Sequence, residues 1–139
     1  MSRAELSKNR DWLIPSSRSK TKREVLLPLS AAAQAVLATV PAVSKGELVF
    51  TPDGQRPIGG LTKLKRNFDM SCGVTGWTLH DLRRTARTLM SRAGVDDGVA
   101  ERCLGHVIGG VRGTYDRHKY YGEKKLAFEK LATLIDGIR

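Results

Sequence analysis

Nowhere in this 139-residue sequence is there an apolar run long enough to cross a bilayer. Its start also lacks the basic, apolar and small-residue succession of a secretory leader. Neither a spanning segment nor export is expected, and the chain reads as soluble and cytoplasmic. Cysteine is scarce. Cys72 and Cys103 lie far apart, form no C-x-x-C pair, and have no histidine at zinc-ligand spacing. Two reduced structural thiols are expected, with no metal and no other cofactor. There is no internal repeat, low-complexity tract or interdomain linker, which excludes a repeat architecture. The length suits one domain with a core of its own.

Acidic residues are in short supply too, 14 against 24 lysines and arginines, for a net charge of +10. Such an excess argues for a polyanionic partner rather than for any fold. Nucleic acid is the first candidate and an anionic membrane surface the rival. The excess is concentrated in residues 1–30, 62–92 and 112–139, whereas 31–61 balance and 93–111 are net negative. Three basic stretches can converge on one face to track a phosphate backbone, or they can be a scattered solvated surface.

"DWLIPSSRSKTKREVLLPLS" has short apolar runs on either side of a polar, basic middle, which predicts a β-hairpin with strands near 12–14 and 24–27. Arg18, Lys20, Lys22 and Arg23 fall at its tip. Ser30 can cap the Ala-rich helix that follows, and Pro41 ends it. "ELVFTP" reads as a strand or extended segment, and "GGLTKLKRNFDM" as a short basic helix from about 60 to 70, closed by Ser-Cys-Gly. Thr78 and Asp81 form a T-x-x-D capping box that starts a helix at Leu79, and Gly94 supplies its left-handed stop. "DDGVAERCLGH" places acids in a first helical turn, where the dipole favours them. A glycine-loosened link, a short helical stretch around Tyr115 and a final helix with Phe128, Leu131, Ile135 and Ile138 along one side complete the chain.

Within the helix from Leu79, positions 79, 82, 86, 89 and 93 fall in a narrow arc at about 100° per residue and are expected to face the core. His80, Arg83 and Arg87 project from one flank of that stripe. An H-x-x-R pair so placed can address one ligand atom or form the wet edge of an ordinary helix. "LGH" at 104–106 follows about twenty residues later, and Tyr115 stands nine residues after His106.

With "HDLRRT", "LGH" and that tyrosine in this order and spacing, the chain resembles the tyrosine recombinases, or phage-type integrases. Lys20 also stands eight residues before Pro28 of a "PL" leading into an Ala-rich helix, where the family carries a hairpin-tip lysine. The resemblance implies an α+β, mostly helical catalytic domain with a small β-hairpin or three-stranded sheet at one edge. The hairpin tip would approach the helix that bears His80 and Arg83. It further implies that Tyr115 attacks a DNA phosphodiester to form a 3′-phosphotyrosine and a free 5′-hydroxyl, without ATP or metal. A phenol of pKa near 10 needs assistance at neutral pH, for which His80 is the candidate. Arg83 would present its donor fork to the nonbridging oxygens, His106 would add a hydrogen bond to the same phosphate, and Lys20 would protonate the leaving oxygen. Lys22, two residues on, is the alternative to Lys20 and otherwise a phosphate contact. Arg84, Arg87 and Arg112 are expected to touch DNA phosphates or acids of the protein. Tyr120 and Tyr121 read as packing for the last helix.

The family's further arginine, in a G-x-R-x-x-E-like helix upstream of the hairpin, has no match here. Arg3 with Glu5 imitates it but lies too close to Trp12. The expectation is a single partial catalytic domain over 1–139, lacking the DNA-clamping domain and nearly inactive alone. Double-stranded DNA is the expected partner, with a homo-oligomer, tetrameric in the family, assembled on it. A noncatalytic basic DNA-binding module and a protein-docking role for the last helix are the competing readings.

Overall fold

Asp11–Ile14 (β1) and Val25–Pro28 (β2) pair antiparallel, with Trp12 opposite Leu27 and Ile14 opposite Val25, as the two apolar runs predict. The computed structural model describes residues 1–9, 11–43, 46–106 and 120–138. Among these the sheet has two strands. The "ELVF" segment pairs instead with the N-terminal residues, through an isolated bridge between Leu48 and Ser2, reinforced by Arg3 N–H to the Glu47 carbonyl (2.7 Å) and Val49 N–H to that of Met1 (3.1 Å). The expected strand is thus an extended clasp on the N-terminal turn.

Among the described residues, five α-helices follow the hairpin. Ala31–Thr39 (α1) is capped by Ser30, whose hydroxyl accepts from Ala33 N–H. Leu61–Cys72 (α2) runs two residues beyond its expected end, so Ser71 and Cys72 are helical and Gly73, at φ 71°, closes it. Leu79–Arg92 (α3) starts where the capping box requires, and Asp81 Oδ2 accepts from both the backbone N–H and the hydroxyl of Thr78. Gly94 at φ 67° turns the chain into Asp97–Cys103 (α4), capped by Asp96. The last helix is Tyr121–Asp136 (α5). The helical stretch expected around Tyr115 lies outside the described residues. No helix among those described is long and apolar enough to cross a membrane.

The core is small: Met90 from α3, Val99, Ala100 and Cys103 from α4, and Ala127 from α5, with Val95, Tyr120, Phe128 and Leu131 packed against them. This corrects the stripe expected on α3. Leu79 and Leu82 are about half exposed, and α3 buries Met90 instead. On α5, Phe128 and Leu131 face the core, but Ile135 and Ile138 are exposed while Lys124 is buried. The reason is length. The seven residues of α4 span only about 10 Å, so they cover the end of α3 and the first half of α5. Apolar side chains beyond their reach stay in water.

The hairpin is fastened to α5 rather than left as a free edge. Lys124 Nζ donates to the Leu26 carbonyl (2.6 Å), and the Tyr121 hydroxyl donates to the buried Asp11 carboxylate (3.1 Å). Tyr120 packs on the core as expected, beneath the Arg102 guanidinium, whereas Tyr121 ties α5 to β1. Burial pushes the Lys124 ammonium below the usual lysine range, against the opposing pull of the Cys103 thiol and Asp11. Burial likewise raises the Cys103 thiol to about 11, so it is an inert core residue. Cys72 is free and exposed, so only one of the two thiols is structural in the sense expected.

Candidate functional site

The antiparallel return of α4 along α3 brings together two of the motifs singled out in the sequence. Arg83, partly buried in the second turn of α3, donates a short hydrogen bond through Nη2 to the carbonyl of Leu104. That carbonyl belongs to the "LGH" turn, where Gly105 at φ 70° redirects the chain after α4. His106 therefore emerges two residues from the point where Arg83 is anchored. A guanidinium carries five donors, so the Leu104 bond leaves others for an anion.

His106 is fastened from the opposite side. Its Nδ1 makes a short contact with Glu101 Oε2, and its backbone N–H donates to the Glu101 carbonyl (3.0 Å). The other carboxylate oxygen of Glu101 accepts from Arg87 Nε at 2.8 Å. Arg87 also donates to Asp97 Oδ1 (2.8 Å) and to Ser91 Oγ (2.6 Å). Hydrogen bonds from His106 and from Arg87 hold the Glu101 carboxyl below the usual carboxylate range, more strongly than burial raises it. The same two acids, Glu101 first, raise the Arg87 guanidinium and keep it charged. Of the two partners left open for Arg87, phosphate or protein acid, the structure supplies acids.

Arg84 points elsewhere and is mostly exposed, with a looser pairing to Asp81 at 3.3 Å. The N–H and hydroxyl of Thr78 lower the Asp81 carboxyl, with a smaller share from Arg84. His80 is exposed in the first turn of α3, one turn before Arg83 and Arg84. Lys20 and Lys22 are exposed at the hairpin tip, where Lys22 takes a left-handed backbone (φ 55°) and bonds through its N–H to the Ser19 carbonyl (3.0 Å). Arg18 of the same tip reaches back to Glu5, a buried carboxylate that also accepts from Trp12 Nε1 (3.0 Å) and Ser2 N–H (3.0 Å). Burial opposes charge on Glu5, but these donors together outweigh it and hold the carboxyl below its ordinary value. Arg3 is exposed, so the Arg3/Glu5 pair is split between solvent and core. Tyr115 and Arg112 lie outside the described residues.

The described residues thus join Arg83 and His106 through one turn, with His80 on the same helix and the lysines on a separate hairpin. Among them no group of three or more histidines, cysteines or acids is placed to hold a metal ion. Sequence reasoning missed Glu101. It lies five residues before His106 and fourteen after Arg87, neither of them a spacing that pairs side chains along one helix. The turn that ends α4 brings His106 back onto Glu101, and the packing of α4 on α3 brings Arg87 to it.

Three comparisons bear on this arrangement. The family model described as the phage integrase family matches residues 3–120. The prophage integrase IntA of Escherichia coli (strain K12) is 29% identical over 128 residues, covering 90% of this chain and 31% of that protein. The chain therefore spans about a third of the length of that relative. No solved structure matches the chain.

Proposed function

Because the chain belongs to the phage integrase family, we propose that it is catalytic machinery of a site-specific tyrosine recombinase. Double-stranded DNA is its substrate, and cutting and rejoining pass through a 3′-phosphotyrosine. Tyr115 is the nucleophile and His80 assists its deprotonation. Arg83 and His106 bind the scissile phosphate, and Lys20 protonates the 5′ leaving oxygen. The observation that carries this reading is the Arg83 guanidinium anchored on the Leu104 carbonyl, beside His106. Arg83 from α3 is thereby anchored on the turn that carries His106 just after α4, an arrangement that suits a preorganised phosphate site.

Lys22 and Arg84 contact flanking phosphates. The active species is a homo-oligomer on DNA, tetrameric in the synapse, and it works in the cytoplasm at the nucleoid. None of the 139 residues matches the family's further arginine, and loss of one charge-stabilising donor costs on the order of 10² to 10³ in rate. The chain alone is accordingly a slow enzyme at best.

A single-turnover trap tests the reading at that low rate. The chain is incubated with nicked duplexes of randomised sequence, which lose a short strand on cleavage and cannot religate. Covalent adducts are then recovered under denaturing conditions and mapped by mass spectrometry. An adduct on Tyr115 that Tyr115→Phe abolishes is the expected result. DNA binding with no adduct would leave a noncatalytic DNA-binding module, and an adduct on Tyr120 or Tyr121 would refute the assignment of the nucleophile.

A further inference from the structure

The six residues from Glu101 to His106 carry more order than phosphate binding by one histidine requires. Glu101 engages His106 twice, through its carboxylate on Nδ1 and its carbonyl on the backbone N–H. The carboxylate is itself oriented by Arg87 Nε on its second oxygen, and Arg87 is braced by Asp97 and Ser91. Nothing in the proposed chemistry uses Glu101 or Arg87 directly, yet Glu101 is only about one-third exposed and both its oxygens are occupied.

We propose that Glu101 is a positioning residue for His106. Its carboxylate accepts the Nδ1 proton and so fixes which ring nitrogen, Nε2, faces a ligand. Arg87 holds that carboxylate in place. The inference rests on the recombinase reading for the identity of the ligand, a DNA phosphate, but the pairing itself is independent of it. A neutral imidazole has one protonated nitrogen, and the hydrogen bond at one nitrogen decides the state of the other. With Nδ1–H committed to a carboxylate, the ring has a defined orientation. When a second proton is added at Nε2, the imidazolium has a counterion on one side and an N–H donor on the other. That donor can meet a nonbridging oxygen as negative charge builds there. Among the described residues, the charged groups that adjoin the ring from α4 and α3 are Glu101 and, through it, Arg87, with Asp97 behind Arg87. Arg87 brings a positive charge close to His106 only after Glu101 has neutralised most of it, so the carboxylate also keeps two cations from opposing each other.

The test uses the full 139-residue chain with ¹⁵N-labelled histidine, at a pH where the ring is neutral. In the wild type the His106 ring nitrogens are expected to show a protonated Nδ1 and an unprotonated Nε2. Glu101→Ala should lose that preference, while Glu101→Gln, whose amide oxygen still accepts, should keep much of it. Folding of each variant is followed by far-ultraviolet circular dichroism, and Glu101→Gln preserves the comparison if the alanine variant does not fold. On the single-turnover trap, Glu101→Ala is expected to slow Tyr115 adduct formation about 10- to 100-fold at saturating DNA, by analogy with the loss of partners that orient metal-ligating histidines. The DNA concentration for half-saturation should stay constant, and in a His106→Ala background the Glu101 substitution should have no further effect.

An unchanged ring tautomer in folded Glu101→Ala would overturn the proposal. So would an equal loss of rate with and without His106. If the tautomer switches as expected while the wild type forms no adduct on any duplex, the positioning of the ring stands and the recombinase reading is what fails.

Discussion

Replacing Glu5 by alanine removes the acceptor that gathers three donors from three places in the chain: Ser2 N–H, the Trp12 indole and the Arg18 guanidinium. Glu5 is only 9% exposed, so the indole and amide left behind have little access to replacement water. A hydrogen bond to a charged group contributes about 1.5–3 kcal/mol. Arg18 is 48% exposed, so its ion pair adds less than about 1 kcal/mol after screening. Against these stands the cost of holding a carboxylate out of water, which the substitution relieves. A net loss of about 2–3 kcal/mol follows, which for a chain of this size lowers the thermal midpoint by about 5–10 °C. Glu5→Gln keeps size and an acceptor and is expected to lose about 1 kcal/mol. Unfolding is followed by circular dichroism and, in a Trp77→Phe background, by the emission of Trp12. Because Arg18 sits two residues before Lys20, tryptic cleavage at the hairpin tip should also accelerate in Glu5→Ala. A Glu5→Ala midpoint within about 1 °C of wild type, with Trp12 emission unchanged, would refute the assigned role.

Lys124→Met should destabilise by about 1–2 kcal/mol, since the Leu26 carbonyl loses a charged donor while the burial penalty on the ammonium disappears; urea unfolding measures it. Lys124 titrates below its ordinary 10.5 when folded, so the unfolded chain binds its proton more readily and stability from this group rises with pH through that window. In melts taken as pH rises toward 10.5, the difference in midpoint between wild type and Lys124→Met should carry this rise, on a background that falls in both as the unfolded chain's Cys103 thiol, held up at about 11 in the fold, ionises. On the acid side, the folded carboxyls of Glu5 and Glu101 lie below 4.5. Their stabilisation is present above that value and lost as pH falls through the folded values, so the Glu5→Gln/Glu101→Gln double variant should show a shallower acid decline in midpoint. DNA affinity should fall steeply with salt. Lys22→Ala is expected to reduce the slope of log affinity against log salt by about 0.9, whereas Arg87→Ala, already paired with acids, leaves it unchanged. An equal change for both would return Arg87 to the phosphate-binding set.

Wherever a local rule was sufficient, the elements follow the expected pattern. The hairpin, Ser30 at the start of α1, the Thr78/Asp81 box of α3 and Gly94 after it stand within a residue or two of their expected places. Each depends on turn chemistry, capping or alternation over fewer than five residues. The core assignments fared worse, because periodicity identifies an apolar arc without saying what covers it. Leu79 and Leu82 satisfy the helical arc and remain exposed, since α4 ends at Cys103 and reaches the other side of α3. Lys124 violates the arc and is buried, because a strand carbonyl lies within reach of its ammonium.

The same division holds at the candidate site. Order and spacing alone suggested that His80, Arg83, His106, Tyr115 and Lys20 stand in register with the integrases, and the match over residues 3–120 shows the family. A motif is a linear pattern, legible one position at a time. The chain by itself therefore determined the elements, the family and the residue types available for chemistry. Packing of α4 on α3 alone decided that Arg83 is held by the Leu104 carbonyl and that Arg87 serves Glu101, whereas Glu101 holds His106 through the local turn that ends α4. Hydrogen bonds and ion pairs act over about 3 Å. Residues fourteen or more apart in sequence come within that range only after burial of Met90, Val99, Ala100 and Ala127 has brought their helices together.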